Sequence, residues 1–324
     1  MKQFLKIALT AVAIIACTAS FAARDKHKTL TGSGNIVSKV IEINNDYTTI
    51  LAMTGVEVVM NESQDNIVNI QADDNVIEWV VCEVKDNILE VCVRKPNCTS
   101  YSNLNVRVNI PKNEKLSRIE SRSAASVKIG PILNSGDKLF IRANSAASVM
   151  INRSLREDVS IDASSSANVQ GSFRCSRLTA KATSAADINA SILARKVSLW
   201  ASSSGEVELN GAATQITAEA TSSGRILCSR LSAQNAVAMA TSSGKITLDC
   251  YEFLNTKASS SGDIISTNSS AKTAIAEASS GGSIKLNCSG SLNAKASSGG
   301  DVRYTGSCSL MESDTASGGS IKKF

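Results

Sequence analysis

Two carboxylates are the first residues in this chain that could do chemistry. Asp187 and Glu206 lie 19 residues apart in matching phrases, Ser-Ala-Ala-Asp-Ile and Ser-Ser-Gly-Glu-Val. If that spacing is one coil of a stacked structure, they stand about 5 Å apart on one face, the separation of a retaining glycosidase pair. The same column continues with Arg225, Lys245 and Asp263. Mixed charge on a wet face instead predicts cross-coil ion pairs, Glu206 with Arg225 and Lys245 with Asp263, each worth about 0–1 kcal/mol. The column lacks the Asp-rich nonapeptide of calcium-binding repeats, so neither a metal nor a cofactor is expected. The single histidine, His27, sits in the N-terminal tail. The many serines of the chain body therefore have no histidine base, and no residue is expected to be catalytic.

Surface contacts are the other chemistry on offer. Small hydroxyl residues recur at fixed places, among them Ser164, Thr183, Ser202, Thr221, Thr241 and Ser259. In a stacked structure they form a flat strip suited to glycan hydroxyls or ordered water, or they simply fill a tight solvated turn. Trp200 falls in an outward phase, where an indole can stack on a sugar ring or pack on a neighbouring loop. Thr221, Thr241 and Trp200 are the candidate binding residues.

The element that must position these residues is a repeat. Eleven times between Ser123 and Ile321 the chain reads Ser, any residue, Ala or Gly, any residue, then Val or Ile. The Ala/Gly positions are Ala125, Ala147, Ala167, Ala186, Gly205, Gly224, Gly244, Gly262, Gly282, Gly300 and Gly319, spaced 18–22 residues apart. A fixed period near 19 means a solenoid. Two residues after each Ala/Gly stands Val or Ile without exception, and four before it Ala in nine of eleven copies. Even offsets mean strand with one face buried. Ser two residues before the Ala/Gly shares the even phase, so it is read as inward, its hydroxyl bonding a copy or the turn backbone. The Gly of later copies is read as a bend that Cβ would hinder. The expected fold is all-β: a parallel β-helix of about eleven coils of about 19 residues, right-handed by the default for parallel crossovers, with an N-terminal β-rich cap.

Residues 1–22 read as an export signal: Lys2 and Lys6 precede an apolar run, Ile7 to Cys17, too short to span a bilayer. Ser20-Phe21-Ala22 fits ordinary cleavage, and Ile14-Ile15-Ala16-Cys17 fits a lipobox that would leave a lipidated Cys17. A lipid on Cys17 is the only membrane attachment expected. Losing Lys2 and Lys6 takes the net charge from +5 to +3, too weak and too spread for nucleic acid. Eight cysteines remain after Cys17, and an exported chain permits disulfides. Cys288 and Cys308 sit on neighbouring coils at nearby offsets and could bond. Cys250 and Cys288 lie two coils apart, about 9.6 Å, too far. Cys82 and Cys92 lie on two strands of one hairpin. Free buried thiols are the alternative throughout.

Residues 24–118 do not repeat. Runs at 35–43, 56–60, 67–71, 79–85, 88–94 and 104–110 read as strands, with Asp86-Asn87 a hairpin turn. Such a region is the natural cap for a solenoid occupying 119–324, whose open edge would recruit other chains. The stretches Tyr47-Thr48-Thr49-Ile50, Thr54-Gly55-Val56-Glu57-Val58-Val59-Met60, Asn66 to Asn75, Glu83 to Leu89 and Leu104 to Pro111, with the first Ser-Ala-Ala-Ser-Val copy, resemble the head GIN domain family of exported bacterial proteins described as autotransporter adhesins. The resemblance covers essentially the whole mature chain. It implies an extracytoplasmic β-helix protein and carries no chemical residue.

The expected function is thus a non-enzymatic, exported cell-envelope protein, an adhesin-like binding module or scaffold in the periplasm, the outer membrane or at the cell surface. Its partner would be a glycan or another envelope or host-surface ligand. The final copy, Ser317 to Phe324, shows no cap, so self-association through the C-terminal coil is also expected. The alternative is a polysaccharide-active β-helix using Asp187 and Glu206.

Overall fold

The computed structural model describes residues 28–324. The export signal, Cys17 and His27 lie outside the described residues. The architecture is a parallel β-solenoid of about eleven coils. From Ser148 to Ser297 each coil is one curved strand of 14–17 residues, and a short turn leads to the next. The register equals the repeat. Val127, Val149, Val169, Ile188, Val207, Ile226, Ile246, Ile264, Ile284 and Val302 pair in succession, and none is more than 1% exposed. Burying each contributes about 1.5–3 kcal/mol before ordering costs. The Ala column from Ala143 to Ala296 is buried too, at most 2% exposed, which keeps the interior narrow.

The alternation slips within the coil. In Asp187–Ser202, Ala194 is buried, Arg195 and Lys196 are both exposed, and Val197 is buried again. Thr214 and Gln215 repeat this one coil on. Two successive outward residues make a corner, because a strand cannot turn without breaking period two.

The Ser column forms a further corner and faces outward, not inward as its even offset predicts. From Ser123 to Ser317 every Ser of this column has φ between 48° and 55°, and the next residue is also left-handed, for example Ser223 at 63° and Gly281 at 71°. Ser222 is exposed. Two left-handed residues closed by a bond from Gly224 N–H to Thr221 C=O (2.8 Å) make a type I′ turn. The turns are stitched by backbone, not hydroxyls: Ser223 N–H donates to Ser242 C=O (3.1 Å), and Ser243 N–H to Ser260 C=O (3.1 Å). A residue that sits in a turn leaves the strand phase, so its even offset no longer means inward.

The Gly that follows does not mark a bend. Gly224 has no left-handed φ; instead an added Cβ would lie 2.3 Å from Ala201 O. Close approach of neighbouring backbones, not a bend, excludes the methyl. The coils that carry Ala are opened: the turn-closing bond is 3.2–3.3 Å at Ala125, Ala147, Ala167 and Ala186, against 2.8–2.9 Å at the Gly copies.

The N-terminal region continues the same ladders. Thr49–Ala52 and Glu57–Met60 pair in parallel with Arg118–Ser121 and Ser126–Ile129. The turn between them, Thr54-Gly55, is left-handed at both residues, and Gly55 N–H donates to Ser123 C=O (2.9 Å). Ile88–Val93 and Val106–Ile110 add one parallel layer beyond. Val80–Lys85, Ile67–Asp73 and Ile36–Glu42 then pair antiparallel, which ends the parallel stack. Asp73 pins this end. It is fully buried and accepts from Gly34 N–H (2.8 Å), Asn105 N–H (2.8 Å) and Asn105 Nδ2 (3.1 Å).

Candidate functional site

From the coil that closes at Ala167 onward, the stacked type I′ turns place three successive small residues of each coil along one edge of the rod. In the coil that closes at Gly224 these are Thr221, partly buried, and Ser222 and Ser223, both exposed. The coil at Gly244 presents Thr241, Ser242 and Ser243 in the same way. Side chains one coil apart are spaced about 4.8 Å, so hydroxyls lie within bonding reach of their copies: Ser259 Oγ and Thr241 Oγ1 are 3.4 Å apart. The edge is rich in hydroxyls, and its backbone is held by the turn-to-turn bonds between backbone groups.

Trp200 stands on the adjoining face, partly buried. Its direct neighbours are Lys181 and Glu219. The Lys181 ammonium lies 4.4 Å from the ring centroid, a cation–π contact that covers part of the ring. Farther toward the N-terminal end the same face carries Arg118 over Phe140 at 4.3 Å.

The carboxylates are side by side in the ladder, Asp187 opposite Glu206. Glu206 is nonetheless drawn the other way, to Arg225 at 3.6 Å, and Lys245 pairs with Asp263 at 3.5 Å. Asp187 is exposed. Both carboxylates lie on the outer face of the rod, and the basic partner of Glu206 is Arg225. Among the described residues no three His, Cys, Asp or Glu side chains converge as a metal site would require. All eight described cysteines are unbridged. Burial pushes the Cys228 and Cys250 thiols up to about 12, so they pack as small hydrophobes.

One further feature leaves no mark in the repeat pattern. At the second corner of the early coils a groove of 830 Å³ runs past Leu155, Arg174, Leu193 and Arg195, and a smaller one adds Arg153 beside Leu193. Leu193 is 50% exposed. Arg174 stands opposite both Leu155 and Leu193 in adjacent strands. Register shifts in this part of the coil, as between Ile151 and Ser154, break the regular spacing that makes the other columns visible.

No protein of curated function matches the sequence. Among solved structures, the chain resembles a "Putative lipid binding protein" from Parabacteroides distasonis at 18% identity, with 92% of this chain and 100% of that chain covered and a TM-score of 0.53. A "putative adhesin" from Parabacteroides merdae aligns at 17% identity over 91% of this chain and 99% of that one, with a TM-score of 0.48. The first likeness establishes a shared fold. The family model described as "Putative auto-transporter adhesin, head GIN domain" matches residues 46–270 and 254–308, most of the chain, so this protein belongs to the head GIN domain family.

Proposed function

We propose that this protein is a non-enzymatic, exported, adhesin-like module of the cell envelope that binds an extended ligand, a glycan or a host-surface polymer, along its turn edge. The observation that carries the reading is the edge itself. Eleven in-register turns present hydroxyls at a constant spacing of about 4.8 Å while their backbone bonds are already made. A repeating polymer matches such a ladder, and Trp200 on the adjoining face offers an aromatic platform. Membership of an adhesin-type family supports an exported or cell-surface setting. The capture of Glu206 by Arg225 argues against the alternative, a polysaccharide-cleaving pair with Asp187.

A glycan and extracellular-matrix array probed with residues 24–324, scored for retention and for product release, tests this. Retention without release is expected, weakened by Trp200→Ala and by Thr221→Val with Thr241→Val. Release of product that disappears in Glu206→Gln would overturn it and install the enzymatic reading. A second reading rests on the corner groove: Arg153 and Arg174 flanking the half-exposed Leu193 suit an anionic amphiphile, and the structural relative named for lipid binding shares the fold. Binding of dodecyl phosphate that is lost in Arg174→Glu but kept in Trp200→Ala would favour that reading.

A further inference from the structure

We propose that Cys288 and Cys308 are a redox pair that closes to a disulfide under oxidising conditions and staples the coil beginning at Gly300 to the coil before it. Cys288 lies in Ser283–Ser297 and is fully buried. Cys308 immediately precedes Ser309–Ala316 and packs, partly buried, against the same core. Cys308 N–H donates to Cys288 C=O at 3.1 Å. Strands bonded this way run about 4.8 Å apart, inside the Cα separation of about 4.4–6.8 Å that a disulfide accepts. The Cys288 thiol itself lies against the Ser291 carbonyl at 3.2 Å. Gly306 sets this approach: its φ is +96°, and a Cβ there would sit 2.2 Å from Cys288 O, so the chain bends onto Cys288 before it reaches Cys308.

The hairpin cysteines lack this geometry. Cys92 lies opposite Val81, and Cys82 opposite Val91. Cys82 and Cys92 are therefore one step out of register, and successive positions along a strand face opposite sides.

The exchange balances with an external disulfide, RSSR, as oxidant. The Cys308 thiolate, more exposed than Cys288, attacks one sulfur of RSSR and releases one RS⁻. The Cys288 thiolate then attacks Cys308 Sγ and releases the second. Two thiol protons go to solvent or to the leaving thiolates, and two electrons reduce RSSR to two RSH. Burial pushes the Cys288 thiol up to about 11, so the second step is slow until the coil opens locally.

The test uses residues 24–324 incubated natively with oxidised glutathione, then alkylated, digested and analysed by mass spectrometry. The expected product links the peptides carrying Cys288 and Cys308. It leaves six of the eight cysteines alkylatable, two being consumed. Limited proteolysis between Gly306 and Phe324 should slow by roughly tenfold in the oxidised form. Cys308→Ser, a change at a partly exposed position, should abolish both effects and leave the melting temperature of the reduced protein unchanged. Eight alkylated cysteines, a Cys82–Cys92 link, or glutathione retained on Cys308 with Cys288 still free would each overturn the proposal.

Discussion

The strained turn ladder makes a prediction of unusual sign: replacing Ser by Gly inside a β-protein should stabilise it. Ser204 and Ser243 sit at φ 62° and 61°, a conformation that costs an L-residue about 1–2 kcal/mol. Glycine removes that cost but loses about 0.4–1 kcal/mol through the freedom it restores to the unfolded chain. The balance is a gain of roughly 0.5–1 kcal/mol per site. The two turns are two coils apart, about 9.6 Å, so their effects should nearly add. Later copies already carry glycine here, at Gly281, Gly299 and Gly318. The control is the neighbouring column. Gly224→Ala places a Cβ 2.3 Å from Ala201 O and should cost about 1–3 kcal/mol as overpacking, tempered because Ala167 shows how the turn can open, its closing bond at 3.3 Å. Guanidinium unfolding followed by circular dichroism would rank the Ser204→Gly/Ser243→Gly double variant above the parent and Gly224→Ala below it. If the double variant unfolds at lower denaturant than the parent, the left-handed assignment and the strain argued from it are wrong.

Three further outcomes are expected. Ile246→Asp places an unpaired charge in a fully buried column and should prevent folding, whereas Lys245→Asp, beside Asp263 on the outer face, should cost no more than about 1 kcal/mol; soluble yield and circular dichroism separate them. At Asp73 burial opposes ionisation, but hydrogen bonds from the Asn105 backbone and side chain and from Gly34 outweigh it and hold the carboxyl below its ordinary value. A depressed folded-state value means the stabilisation is present above about pH 4 and is lost as pH falls through the folded value; Asp73→Asn should flatten that acid limb in pH-dependent melts. Ser309–Ala316 is exposed throughout, with Met311 69% exposed, so the mature chain should self-associate at tens of micromolar by sedimentation, and Met311→Lys should reduce this.

The inward columns were legible because burial repeats at the coil period. Val or Ile stands beside its own copy in every coil, so Val127 to Ile321 could be read directly. The Ser column was equally regular, and its reading still failed. Offset parity assumes an unbroken strand, and two left-handed residues break it without any change of spacing. Serine carries no mark of that conformation as Asn-Gly would; the mark lay in the later copies, where Gly281, Gly299 and Gly318 occupy the neighbouring place. The coil at 49–60 was missed for a related reason. Thr54-Gly55-Val56 is the same turn with Thr for Ser and Val for Ala, so identity fails where geometry persists. The corner groove was hard to see because Arg153 falls at the register shift between Ile151 and Ser154, off the regular spacing that Arg174 and Leu193 keep.

The turn ladder also bears on how such a rod holds together. Each coil places two residues in a costly conformation, about 1–2 kcal/mol each for a non-glycine residue, and no coil returns that alone. The return comes from the coil above and the coil below, through the bond from Ser223 to Ser242 and its copies and through the shared Val/Ile column. Strain that is local and stabilisation that is shared make folding depend on neighbours. A lesion in one turn should therefore loosen adjacent coils before distant ones. The ligand edge and the strained turns are the same residues, so a polymer lying across several turns would bind best where the stack is intact. Binding along this edge should then weaken with the number of coils disturbed, rather than vanish with any single hydroxyl.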